Sequence, residues 1–232
     1  MKKVLSQRLE CVLSYIPIGS VLVDIGSDHA YLPTEAVKRG VVQKAIAGEV
    51  AQGPFLAAQK EVIQSGLTAS IDVRKGNGLE VLEKEEGDCI VIAGMGGTLI
   101  ASILENGKDK LSKNMTLILQ PNIGGKSVRN WCVQNGWKCV DECVMKEDGH
   151  LYEIIVAVFS PAESHLTEKE QLFGPILLQH REDSVFREKW EREQHEWARI
   201  LRQLEQANGN EAVDEKRRQL KKNIQYAKEV FS

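Results

Sequence analysis

An apolar run that stops on an acid and a glycine constrains this chain more than any other stretch: Val21-Leu22-Val23-Asp24-Ile25-Gly26-Ser27-Asp28-His29-Ala30-Tyr31-Leu32-Pro33. It reads as a buried strand, a glycine turn and the start of a helix. Such a unit builds a ligand cradle at the strand's carboxyl end, because glycine lets the backbone approach a ligand and helix N-terminal amides face the crevice. Asp24 stands where it can accept hydrogen bonds from a cationic or hydroxylated ligand. The turn lacks the G-x-G-x-x-G spacing that seats a pyrophosphate on the helix amides. A nicotinamide-dependent Rossmann oxidoreductase, the leading alternative enzyme, therefore starts without its fingerprint.

The unit recurs along the chain. Strands are expected at Val21–Ile25, Ala45–Glu49, Ser70–Arg74, Cys89–Ala93, Met115–Gln120, Trp137–Met145 and Leu151–Phe159, with helices at Pro33–Arg39, Gly53–Ser65, Thr98–Asn106 and Gly125–Asn135. Strands alternating with helices predict an α/β fold with a mostly parallel sheet covered on both faces. Between the last two strands there is no room for a crossover, and Asp148-Gly149 is a hairpin signal, so that pair is expected to be antiparallel. After Pro161 the sequence becomes long, charged and helix-favouring. Phe186, Trp190, Trp197, Leu201 and Leu204 mark one apolar stripe at helical spacing, and Leu220, Ile224, Ala227 and Phe231 a second. With a turn at Asn208-Gly209-Asn210 they predict an antiparallel helical hairpin, preceded by a shorter helix from Thr167 that breaks at Gly174-Pro175. The division is thus 1–161 and 162–232.

A chain of 232 residues suits one ordinary domain with a smaller appendage. Its net charge of −3 gives no global pull toward nucleic acid, so RNA binding would need a local patch, and no DNA partner is expected. No apolar run reaches the ~18–20 residues of a membrane span. Met1-Lys2-Lys3-Val4-Leu5-Ser6 lacks a signal-peptide core, and a cytoplasmic location is expected. The five cysteines (Cys11, Cys89, Cys132, Cys139 and Cys143) form no C-x-x-C pair and fit no common zinc spacing, so they read as reduced thiols with no metal.

The strand ends carry the chemistry. Glu49 closes the second strand about 20 residues after the glycine turn, where an acid can take both hydroxyls of a ribose. Arg74-Lys75-Gly76-Asn77-Gly78-Leu79 follows the third, and Asn77 can read an adenine edge. The fourth runs into Ala93-Gly94-Met95-Gly96-Gly97, a backbone-lined pocket floor, and the fifth into Gln120-Pro121-Asn122, whose amides flank the same crevice.

These strings resemble the bacterial tRNA adenine-22 N1-methyltransferase family. The resemblance rests on Asp24 through Pro33, Ala47-Gly48-Glu49, Asn77-Gly78 and Ala93 through Gly97. It extends to Leu5-Ser6-Gln7-Arg8-Leu9, Leu119-Gln120-Pro121-Asn122, Tyr152-Glu153-Ile154 and Phe173-Gly174-Pro175-Ile176. It implies a Rossmann-like class I methyltransferase sheet followed by a coiled-coil-like C-terminal α-helical hairpin, with S-adenosylmethionine as cofactor and tRNA as partner. Asp24, Gly26, Asp28 and His29 would contact the methionine half of the cofactor. Glu49 would hold the ribose, Asn77 and Gly78 the adenine, and Ala93, Gly94, Met95 and Gly96 would line the sulfonium and the incoming base. The segment lacks the Asn/Asp-Pro-Pro-aromatic motif of enzymes that modify exocyclic amines, which favours a ring nitrogen as acceptor.

For that reaction the N1 lone pair of adenine is free at neutral pH, so in-line attack on the sulfonium methyl depends on alignment rather than on a base. Asp28 is the first candidate to stabilise the developing cation, the Gly94 and Met95 carbonyls the second, and Asn122 flanks them. N1 lies on the Watson–Crick edge, so the base must be unpaired or extruded. Candidate RNA contacts are Arg8, Tyr31 and the basic face Lys216, Arg217, Arg218, Lys221 and Lys222. A monomer is expected. The non-enzymatic alternative is an RNA- or protein-binding module with a vestigial cofactor pocket.

Overall fold

The computed structural model describes residues 5–84, 86–163, 165–206 and 210–231. Its strands are β1 (Val21–Ile25), β2 (Lys44–Glu49), β3 (Ile71–Lys75), β4 (Cys89–Gly96), β5 (Thr116–Ile123), β6 (Trp137–Glu147) and β7 (His150–Phe159). They form one sheet in the order β3-β2-β1-β4-β5-β7-β6. β1 through β5 are parallel, whereas β7 runs antiparallel to both β5 and β6. Chain order reverses at β1, which has β2 on one side and β4 on the other. Such a switch point leaves a crevice at the carboxyl ends of the strands.

The helices explain why the parallel strands read as continuous apolar runs: both faces are covered. On one face Val23, Ile25, Ile90, Ile92, Leu117 and Leu119 pack with Ile100 and Leu104 of α4 (Gly97–Asn106) and Val128 and Trp131 of α5 (Gly125–Gln134). The other face joins Leu22, Ala45, Ala47, Val91 and Ile118 to α1 (Gln7–Ser14), α2 (Tyr31–Lys38) and α3 (Gln52–Gln64). Helix α1 was not expected from sequence. It is short, so its periodicity is faint; the Ser6 side chain caps it by accepting from Leu9 N–H at 3.2 Å, and Val12 and Leu13 are its buried residues. The β6–β7 turn follows expectation, with Asp148 and Gly149 both left-handed at φ 49° and 78°.

After β7 the chain forms α6 (Glu168–Phe173), α7 (Ser184–Gln206) and α8 (Glu211–Phe231). Thr167 caps α6, which stops at Gly174. The stripes expected on the two long helices meet in a third core of Leu172, Phe173, Leu177, Phe186, Trp190, Trp197, Leu220, Ala227 and Val230. Asn208 and Gly209 of the expected turn lie outside the described residues. A buried ionic network ties this core to the sheet. Arg129 on α5 contacts Glu142 at 2.6 Å and Glu153 at 2.9 Å, and Glu153 also meets Lys189 of α7 at 2.9 Å. Glu142 accepts the N–H of Ile176 and of Leu177 at 2.9 and 3.3 Å. No motif announced this network. No helix among the described residues is long and apolar enough to cross a membrane.

Candidate functional site

Parallel strands put their carboxyl ends on one edge, and the expected site residues of β1, β2, β4 and β5 converge there. Asp24 is 4% exposed and accepts the Ser27 hydroxyl at 2.5 Å. Burial pushes its carboxyl up to about 7; the Ser27 hydrogen bond opposes this, the nearby Glu49 charge adds to it and Arg8 opposes it. Glu49, also buried, accepts the Asp28 N–H, and burial raises its carboxyl above the usual range. Two carboxylates on adjacent strands, both held uneasily in their charged form, suit a ligand that brings positive charge and hydroxyl donors.

The turn after β1 compensates for its missing glycines. Asp28, His29 and Ala30 take left-handed φ values of 35°, 65° and 54° in succession. A non-glycine residue pays roughly 1–2 kcal/mol for that conformation. Glu49's grip on the Asp28 N–H and the complete burial of Ala30 at the start of α2 hold the turn in place. The Asp28 side chain is 80% exposed, and its Oδ1 lies 3.6 Å from Nε2 of His29. His29 stacks on Tyr31 with centroids 5.2 Å apart. Gly26 faces β4: a Cβ built there would lie 2.2 Å from the Met95 Cε.

The glycine segment expected as a loop beyond β4 is the bulged end of β4 itself. Its register to β5 slips between Ala93 and Met95 and again before Gly96. β5 likewise continues through Pro121 to Ile123. Gln120 is fully buried; its Oε1 accepts the Gly94 N–H at 3.0 Å and Arg8 Nη1 at 2.6 Å. Asn122 donates from Nδ2 to the Gly94 carbonyl at 2.9 Å. The Gly94 carbonyl, expected to face a cationic product, therefore already serves Asn122. Arg8, expected at the RNA surface, turns inward, because the N-terminus of α1 is anchored on β6: Glu147 accepts the N–H of both Gln7 and Arg8. Its guanidinium also lies 5.5 Å from the Tyr152 ring centroid.

Beyond β3, exposed Asn77 and half-buried Gly78 open a pocket also lined by Ile103, Asn106, Asp109 and Lys110. The contribution from the end of α4 had no sequence signal. Gly78 has φ 57°, and the Asn77 N–H donates to Glu80 at 3.2 Å. The basic face of α8 is largely matched by acids. Arg217 meets Asp214 at 2.7 Å, Arg218 meets Glu215 at 2.6 Å, Lys221 meets Glu205 at 3.8 Å and Lys222 meets Glu168 at 2.5 Å. Lys216 on the same helix is exposed. These cations lie on α8, outside the sheet that carries the strand-end residues.

Comparison with known proteins agrees with this geometry. Residues 22–229 match the family described as tRNA (adenine(22)-N(1))-methyltransferase. The chain is 44% identical over 231 residues to the Bacillus subtilis (strain 168) protein of that description, covering 98% of this chain and 97% of the relative. The crystal structure of the B. subtilis M1A22 tRNA methyltransferase superposes with a TM-score of 0.91 at 43% identity, over 99% of both chains. A Streptococcus pneumoniae relative solved with S-adenosyl-L-methionine gives 0.87 at 41% identity, covering 99% of this chain and 100% of that one. An M. capricolum relative solved with S-adenosyl-homocysteine gives 0.81 at 30% identity, again over 99% and 100%.

Proposed function

The chain belongs to the tRNA (adenine(22)-N(1))-methyltransferase family, and on that premise we propose that its strand-end cradle binds S-adenosylmethionine and presents N1 of the tRNA adenine to it. The observation that carries this reading is the pair of buried carboxylates, Asp24 and Glu49, on adjacent strand ends beside the Gly26–Met95 contact. That donor set fits the cofactor's charge and its ribose hydroxyls. The alternatives weighed from sequence, a nicotinamide oxidoreductase and a binding module with a vestigial pocket, gain nothing from these relatives.

S-adenosylmethionine supplies an electrophilic methyl on a sulfonium centre. We assign the remaining work to the chain. Glu49 holds the ribose hydroxyls while its other interaction fixes the Asp28 N–H. Asn77 and Gly78 border the adenine end, and Asp24, Gly26 and His29 the methionine end. Ala93, Gly94, Met95 and Gly96 form the floor at the reacting methyl. No side chain needs to remove a proton first, because N1 of adenine carries its lone pair at neutral pH. His29, stacked on Tyr31, therefore packs rather than acts as a base. Asp28 is the carboxylate placed to offset the positive charge of the methylated ring. Because it is exposed, its effect grows when the bound base excludes water.

The separate core of the C-terminal helices supports a division near Pro161 into a methyltransferase unit and a helical unit. We assign Lys216, Arg217, Arg218, Lys221 and Lys222 to phosphate contact; the acid partners of the last four make that contact weak and salt-sensitive. Tyr31, near the mouth of the crevice, is the candidate to meet the extruded base. The test is transfer of labelled methyl from S-adenosylmethionine to unmodified bulk tRNA, followed by nucleoside analysis. 1-Methyladenosine is expected; cofactor binding without a methylated nucleoside would overturn the assignment of substrate.

A further inference from the structure

We propose that Gln120 is a positioning residue for methyl transfer, acting with Arg8 and Asn122 to lock Gly94 and so hold Met95 against Gly26. The sheet has a gap at the end of β4. Where β4 bulges, Ala93 still pairs with Gln120 and Met95 with Pro121, but Gly94 has no ladder partner. Proline has no N–H to offer in any case. Gly94 also sits at φ 80°, a conformation that glycine reaches freely and leaves as freely.

Side chains supply what the ladder omits. Gln120 Oε1 takes the Gly94 N–H, and Asn122 Nδ2 donates to the Gly94 carbonyl. Pinning both ends of one residue fixes its φ and ψ together. The amide orientations are dictated rather than free. Arg8 and Gly94 both donate to Gln120 Oε1, so Gln120 must present Nε2 to Asn122 Oδ1, at 3.1 Å. Asn122 is thereby left with only its NH2 group for Gly94. Flipping either amide would face donor against donor. Full burial of Gln120 makes the arrangement costly to break, since an unpaired amide there has no water to turn to. Arg8 supplies the outer anchor from α1, whose N-terminus Glu147 fixes to β6.

The residue that follows Gly94 is Met95, whose side-chain end fills the space over Gly26. A loose Gly94 would let that contact between the ends of β1 and β4 drift, and alignment at the reacting methyl is the main lever this chain has over the rate. This role rests on the methyltransferase reading, so its test includes readouts that need no turnover.

The experiment compares the full-length wild type with Gln120→Leu, Gln120→Glu, Asn122→Ala and the Gln120→Leu/Asn122→Ala pair. In the cofactor-free protein, Gln120→Leu is expected to speed Gly94 amide exchange about tenfold and to shift the Met95 methyl resonance. Its kcat should fall about 10- to 100-fold, while calorimetric affinity for S-adenosylmethionine and KM for tRNA stay within about threefold. Gln120→Glu retains the acceptor for Arg8 and the Gly94 N–H but loses the donor to Asn122, so the Gly94 amide should stay protected and kcat should fall less than in Gln120→Leu. The double variant should lose less than the product of the single losses, because both act on one residue. Unchanged Gly94 exchange in Gln120→Leu would overturn the proposal. So would a loss of cofactor affinity as large as the loss of kcat, which would make Gln120 part of the binding site. A wild type that binds cofactor but methylates no tRNA would overturn the functional reading instead, with the exchange data still deciding whether Gln120 locks Gly94.

Discussion

The Met95 methyl occupies the space where a side chain on Gly26 would begin, and a Cβ there would come within 2.2 Å of it. Gly26 also stands at φ 71°, so a substitution meets both a clash and an unfavourable backbone. Because the obstructing atom is the end of a flexible side chain, the molecule can yield by swinging Met95 aside. Gly26→Ala is therefore expected to fold with a stability loss of about 1–2 kcal/mol from the backbone alone. Its cofactor affinity should fall about tenfold or more as the floor is displaced. Shortening the obstacle with Met95→Ala should restore part of that affinity in the double variant, read by calorimetry; no restoration would show that the clash is not the cause.

The proposed place of Asp24 in the cofactor cradle predicts that binding depends on pH. Burial raises its carboxyl to about 7, so a large share is protonated just below neutrality. A cationic ligand favours the ionised form, and affinity for S-adenosylmethionine should increase as pH rises from 6 to 8. The sign for the free protein is opposite. A carboxyl raised in the folded state stabilises it fully below the unfolded value near 3.9 and loses that contribution as pH climbs through about 7. Asp24→Asn should flatten both profiles. A wild-type affinity that is level over this range would remove Asp24 from the pocket.

Arg129 is fully buried between Glu142 and Glu153. Burial works against the Glu142 carboxylate and raises it above its ordinary range despite Arg129. Burial also opposes the Glu153 charge, but Lys189 and Arg129 outweigh it and hold that carboxyl low. Removing the guanidinium leaves Glu142 without a cation and Glu153 with Lys189 alone. Arg129→Met should cost about 3–5 kcal/mol in urea unfolding. Adding Glu142→Gln and Glu153→Gln should recover much of the loss, whereas a mild single-variant effect would show that water reaches the network.

Cys11 and Cys143 bring their sulfurs to 3.7 Å across α1 and β6. The contact with Cys143 lowers the Cys11 thiol, while burial pushes Cys89 up to about 12. Iodoacetamide at neutral pH should label Cys11 first, as followed by peptide mass spectrometry. Cys143→Ala should slow that labelling. Equal rates at Cys11 and Cys89 would contradict the contact.

The sheet was legible because its strands are apolar runs punctuated by glycine, and the run from Val21 to Gly26 carries the strand and its turn in its own chemistry. The strand-end positions of Asp24, Glu49 and the glycine segment were visible for a related reason: each lies where an apolar run stops. What escaped depends on partners far away in sequence. Arg8 looks like a surface cation until α1 docks on β6 and turns it toward Gln120, 112 residues away. Arg129 sits in an ordinary helical pattern, and only folding brings Glu142, Glu153 and Lys189 around it. The left-handed turn through Asp28, His29 and Ala30 could not be read either, since none of these residues requires it. The acids matching the basic face of α8 were in plain sight, but their pairing is a matter of rotamers.

The central claim is tested most directly by methylating two transcripts of one tRNA, one with adenosine at position 22 and one with guanosine there. Sites are read by reverse-transcription arrest and product by nucleoside analysis. 1-Methyladenosine and an arrest at position 22 are expected in the first transcript and neither in the second. Equal methylation of both transcripts, or of neither in the presence of bound cofactor, would contradict it.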